Sequence, residues 1–168
     1  MKRAGTFTIR QAELADVDGI AAAHLDSIRS IGARFYDSDV VNAWSARVAG
    51  DLYANAMARG EVFFVATGKA GGNPPVLGFS SHKVHNGEHR TAVYVRGQAA
   101  RRGVGSALFR RAEAAAIEGG ATSIRVDASL AAVEFYEANG FETINPGTLR
   151  IGPGCSMACV LMKKTLAA

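Results

Sequence analysis

The chain has 168 residues, 48% of them apolar and 20% charged, with a formal net charge of +4. That length fits one domain, residues 1–168, with a core of its own, and the composition excludes long disorder. No apolar run approaches the roughly 18 residues of a membrane span, none behind Met1-Lys2-Arg3 reads as a signal segment, and the basic residues form no tract of the kind that binds nucleic acid.

Thr6 to Arg10 alternates Phe7 and Ile9 against polar residues, which predicts a short strand. Asp16 reads as an N-cap, with Val17, Ile20, His24, Ile28 and Ile31 behind it at helical spacing and Gly32 as the stop. A second helical region runs from about Asp39 through Met57 and ends near Gly60. Glu61–Thr67 and Val76–Ser81 read as two strands of an antiparallel hairpin, joined by the turn-rich Gly68–Pro75 segment. His82–Gly87 reads as a second turn, leading to a strand from about His89 to Val95.

A loop rich in arginine and glycine follows, then an amphipathic helix from Gly103 to Glu118. Ser123–Asp127 is a short apolar strand, and Leu130–Asn139 a helix with Gly140 in C-cap position. Phe141–Ile144 and Ser156–Lys163 complete the set. The expected class is α/β, a mixed α+β sheet of six to seven strands with flanking helices. Cys155 and Cys159 share one face of the last strand with Met157 between them. No further soft ligands stand nearby for zinc, so no metal is expected and buried reduced thiols are the expectation.

The segment from Val93 to Ser106 carries the chemistry. A strand enters a loop, and the loop opens a helix with Gly103-Val104-Gly105. The first turn of a helix offers N–H groups without intrahelical partners and a partial positive charge. Glycine allows close approach to that backbone, and Arg101 and Arg102 add full charges. Together they suit a pyrophosphate. A P-loop would need Gly-Lys-Ser/Thr where Gly105-Ser106-Ala107 stands, and a dinucleotide fold would need a glycine at Leu108.

This loop, followed further on by Glu134-Phe135-Tyr136-Glu137-Ala138-Asn139-Gly140-Phe141, resembles the signature of the GCN5-related N-acetyltransferase (GNAT) family. The order of elements resembles that family over nearly the whole chain. The resemblance implies the GNAT fold, with a mostly antiparallel central sheet. It implies an acetyl-CoA-dependent N-acetyltransferase acting on an amine acceptor by direct attack in a ternary complex. Carried over by position, the phosphate cradle falls on Arg101, Arg102, Gly103, Val104, Gly105 and Ser106. Val93, Tyr94 and Val95 would line the pantetheine arm, with backbone donors near Tyr94 and Val95 at the thioester carbonyl. Tyr136 matches the tyrosine beside the sulfur, and Ser129 stands where many members have asparagine. Ala100 departs from the usual glutamine or arginine, and Arg101 stands where many members have glycine.

A tyrosine hydroxyl has a pKa suited to protonating a departing thiolate. His89 occupies the strand position where some members carry a glutamate base, and imidazole titrates in the useful range. His82 and His85 lie in or beside the preceding turn. His24, on an apolar helix face, reads as a core histidine, and Tyr36 and Trp44 suit either an acceptor pocket or the core. The rival class is a non-catalytic acyl-CoA-binding sensor. The sequence points to no membrane or nucleic-acid partner and to a cytoplasmic protein; it leaves the acceptor's identity and the oligomeric state, a homodimer included, open.

Overall fold

The first strand, β1 (Phe7–Gln11), lies at one edge of a sheet and pairs antiparallel with β2 (Val62–Gly68). The computed structural model describes residues 6–69 and 75–167. β2 pairs with β3 (Val76–His85) as the hydrophobic pattern predicts, although most of the Gly68–Pro75 turn lies outside the described residues. β3 continues into β4 (Glu88–Val95), followed across the sheet by β5 (Ser123–Ser129), β7 (Cys155–Thr165) and β6 (Glu142–Gly152). The sheet has seven strands, and β4–β5 is its one parallel neighbour pair among the described residues.

Between β1 and β2 run α1 (Val17–Ser30), α2 (Ser38–Ala46) and α3 (Gly50–Ala58). The single helical region expected over 39–57 is therefore two helices. Ala49 is extended, at φ −153° and ψ 160°, and breaks the run. Asp37, rather than Asp39, starts α2, its carboxylate accepting the Val40 N–H at 3.0 Å. Asp16 does not cap α1 with its side chain. It accepts the Glu13 N–H at 2.8 Å and pairs with Arg10 at 2.8 Å, and these contacts hold its pKa below the usual aspartate value.

The turn expected over 82–87 is only Asn86-Gly87. Both residues have positive φ, 51° and 76°, as a two-residue hairpin of the primed type requires. The strands therefore reach His85 and Glu88, and His82 is buried in the ladder while His85 is exposed. α4 (Val104–Glu118) and α5 (Val133–Ala138) pack on one face of the sheet. Phe109, Leu108 and Ile124 are sealed in that core. α1 and α3 cover the opposite face around Ile20, Val65 and Phe79, and α2 lies toward β6 and β7 with Trp44, Ile151 and Met157. Cys155, Met157 and Cys159 do share a strand face, and both thiols are free. No helix of the described residues is long and apolar enough to cross a membrane.

His24 is a core histidine, boxed by Trp44, Tyr53, Phe79 and Tyr94. Its Nδ1 lies 2.6 Å from the Tyr53 hydroxyl, and burial drives its pKa down to about 3. The unfolded value is near 6.5. Between these pH values the unfolded chain binds a proton that the folded chain refuses. The stabilisation is thus full above about pH 6.5 and is lost progressively as pH falls toward about 3. His24→Leu cannot titrate, so its urea midpoint should fall less steeply than the parent's between about pH 7 and pH 4. Equal slopes would remove His24 from the acid response.

Candidate active site

β4 and β5 run side by side but pair only at Arg90↔Arg125. Beyond that point β4 continues to Val95 and β5 to Ser129, and the two strands share no further pairing, leaving a wedge in the sheet. On its other side β4 stays paired with β3 as far as Val95. The Arg96 N–H donates to Leu77 O at 2.8 Å, so strand alternation turns the Tyr94 N–H toward β3 as well. Val93 and Val95 instead present their amides to the wedge. Of the donors expected near Tyr94 and Val95, the backbone thus offers those of Val93 and Val95.

Tyr136 enters the wedge from α5. It is 2% exposed, and its hydroxyl accepts the Val93 N–H at 3.1 Å. Burial, with Tyr94 nearby, pushes its pKa well above the ordinary tyrosine value, so the hydroxyl keeps its proton. The Tyr94 hydroxyl is likewise pushed up, to about 12, by burial. Phe135 and Phe141 flank Tyr136 with ring centroids 5.1 Å away on each side. Ser129 ends β5 at the mouth of the wedge and is buried.

Past Val95 the chain turns through a short 3-10 segment at Gly97–Ala99. Asp26 of α1 holds this turn, accepting the Gly97 N–H at 2.8 Å, a role with no local signal in the sequence. Arg101 then takes φ 60° and Gly103 φ 81°, two left-handed residues in quick succession before α4. No side chain caps α4; its first intrahelical bond is Ala107 N–H to Gly103 O, so the Val104, Gly105 and Ser106 amides lie free of the helix ladder. Arg101 and Arg102 are exposed beside them. Ser106 Oγ accepts from Asn139 Nδ2 at 3.3 Å, tying α4 to α5.

The structure therefore gathers Val93, Val95, Ser129, Tyr136 and the start of α4 around one wedge. It does not bring His89 to Tyr136. His89 lies four residues before Val93, about 13 Å along the strand, near Gly119 at the other end of α4. Its Nδ1 is 2.9 Å from His82 Nε2 with the two rings stacked, and burial first, then His89, lowers the His82 pKa. Trp44 is buried, and the Tyr36 hydroxyl donates to Ala158 O at 2.6 Å while accepting the Leu130 N–H at 2.8 Å. Tyr36 thus buttresses the end of β5. No group of three or more potential metal ligands occurs among the described residues.

Residues 33–166 match the sequence profile of a family described as "Acetyltransferase (GNAT) domain". A GCN5-related N-acetyltransferase structure from Rhodopseudomonas palustris is similar at 29% identity, with 96% of each chain covered and a TM-score of 0.81. The PaiA N-acetyltransferase of Thermoplasma acidophilum, solved with coenzyme A, shares the fold at 18% identity, covering 96% of this chain and 99% of its own, TM-score 0.77. A phosphinothricin acetyltransferase from Sinorhizobium meliloti, solved with acetyl-CoA, does so at 18% identity over 96% and 89%, TM-score 0.72. No curated protein matches the chain by sequence.

Proposed function

Since this chain belongs to the GNAT acetyltransferase family, we propose that it transfers the acetyl group of acetyl-CoA to a primary amine by direct attack in a ternary complex. The observation that carries this reading is the pairing of two features across α4 and α5. The uncapped start of α4 offers free amides to a pyrophosphate, and the wedge beside it holds a buried, protonated tyrosine against a backbone donor. Coenzyme A and acetyl-CoA in two of the similar structures support acetyl-CoA as co-substrate.

In this reading the Val93 or Val95 N–H polarises the thioester carbonyl and stabilises the oxyanion. The amine attacks, the C–S bond breaks, and Tyr136 protonates the departing sulfur. His89 is the proposed proton acceptor. Its imidazole pairing with His82 supports that role, and at about 13 Å along β4 from Val93 it would receive the proton only through a chain of several waters.

Thiol release from acetyl-CoA in the presence of a panel of amines tests the activity directly. The cradle is tested by calorimetry. Acetyl-CoA binding should weaken as salt rises, because exposed charge contacts are screened. Replacing Arg101 and Arg102 together by alanine should weaken binding and flatten that dependence. Parent affinity with the parent's salt slope would remove both arginines from the site.

A further inference from the structure

The Arg90↔Arg125 register sets Leu130 level with Val95 at the open end of the wedge. The Arg90–Asp127 ion pair, at 2.6 Å, and the Tyr136–Val93 bond cross the wedge nearer its narrow end. At the open end both banks are held by one stretch of chain. Asp26, in the C-terminal half of α1, accepts the Gly97 N–H through Oδ2 at 2.8 Å, just past the end of β4. Among the described residues this is the one side-chain hydrogen bond to residues 97–103, the turn that leads into α4. Further along the same stretch, the Tyr36 hydroxyl accepts the Leu130 N–H at 2.8 Å and donates to Ala158 O of β7 at 2.6 Å.

The stretch between the two grips is rigid. α1 continues to Ser30 and a 3-10 turn follows at Gly32–Arg34, so the backbone is helical almost throughout. Ile28 is fully buried, and a Cβ on Gly32 would lie 3.1 Å from Trp44 Cζ3, which seats the turn on that ring. α1 also touches the β4 bank directly, because a Cβ on Gly97 would fall 2.5 Å from Ser30 Oγ. The Asp26 carboxylate makes a charge-assisted bond to its amide, and the Tyr36 hydroxyl both accepts and donates. A rigid element bonded to both banks fixes the distance between them. Released at either end, it transmits nothing to the other.

We propose that residues 26–36 form a brace that sets the width of the wedge for acetyl-CoA, with Asp26 and Tyr36 as its two positioning residues. Each acts through a backbone amide, Gly97 on the β4 bank and Leu130 on the β5 bank. The assignment rests on the acetyltransferase reading above. Its signature is acetyl-CoA affinity rather than the rate of the chemical step.

Acetyl-CoA binding is measured by calorimetry on the full chain as parent, Asp26→Ala, Tyr36→Phe and the double variant. Each single substitution should raise Kd at least tenfold, about 1.4 kcal/mol, with kcat at saturation within about twofold of the parent's. The double variant should bind within about threefold of the weaker single variant, because the second grip has nothing left to transmit. Two separate supports predict instead that the losses multiply to about a hundredfold, and that result overturns the brace. So does parent affinity in either single variant. Asp26→Asn keeps an acceptor for the Gly97 N–H and should bind acetyl-CoA better than Asp26→Ala. Equal weakness would assign the loss to the missing charge and overturn the proposal. In the unliganded parent, hydrogen exchange should find the Gly97 and Leu130 amides protected. Solvent-like exchange of either amide overturns the brace, even where a variant fails to fold. A parent that does not bind acetyl-CoA sinks the acetyltransferase reading, and this assignment with it. A parent that binds, with variants that bind equally well, sinks only the brace.

Discussion

Tyr136→Phe should lower kcat by roughly 10²-fold or more, the scale of general acid catalysis, with acetyl-CoA affinity nearly unchanged. The ring is held by Phe135 and Phe141 and should stay in place, so the substitution removes the hydroxyl alone. Because burial raises the hydroxyl's pKa, the acid should remain protonated through mildly alkaline pH, and the parent's rate should show no decline there from tyrosine ionisation. The hydroxyl also accepts the Val93 N–H. Without it, that buried amide stands unpaired, at a cost of about 1–3 kcal/mol in the free protein. With affinity nearly unchanged, acetyl-CoA should stabilise variant and parent alike and leave that gap in place. Melting curves with and without acetyl-CoA, beside steady-state rates, separate the two roles. Near-parent kcat on a good acceptor would reduce Tyr136 to a packing residue.

The parts of the site legible in the sequence are those whose geometry is local. Gly103-Val104-Gly105 at a helix start and the Phe135–Phe141 run each define their own backbone. The wedge is not local. It arises because β5 lies parallel to β4 and separates after one paired residue, which no spacing in the chain announces. Asp26 and the Arg90–Asp127 pair escaped for the same reason, since sheet and helix packing, not sequence proximity, bring their partners together. The shortened strands have a different cause. Asn86-Gly87 alone makes the tight turn, and the histidines before it read as polar turn residues although β-pairing takes them up to His85. β6 runs from Glu142 to Gly152 rather than ending near Ile144, because an edge strand tolerates Pro146 and Gly147 where a central strand would not.

The two glycines of the α4 start should fail differently. A Cβ on Gly105 would lie 2.9 Å from Phe135 Cε2 and 3.5 Å from Val95 Cγ2. Gly105 is therefore small because Phe135 packs on it, in addition to the proposed approach of the pyrophosphate. A Cβ on Gly103 meets nothing within 4 Å, but its φ of 81° strains any other residue. Gly105→Asp should lower acetyl-CoA affinity at least tenfold, about 1.4 kcal/mol, and should also destabilise the fold by about 1–3 kcal/mol through overpacking. Gly105→Ala isolates the steric part. It should displace Phe135, disturb its neighbour Tyr136, and so depress kcat more than affinity. Gly103→Ala should instead weaken binding through the loop's backbone, at about 1–2 kcal/mol for the left-handed residue, and leave kcat at saturation close to the parent's. Calorimetry, melting curves and saturating rates on the three variants test this ordering. If Gly105→Ala and Gly103→Ala shift affinity and kcat in the same proportion, the start of α4 acts on acetyl-CoA alone and does not position Tyr136.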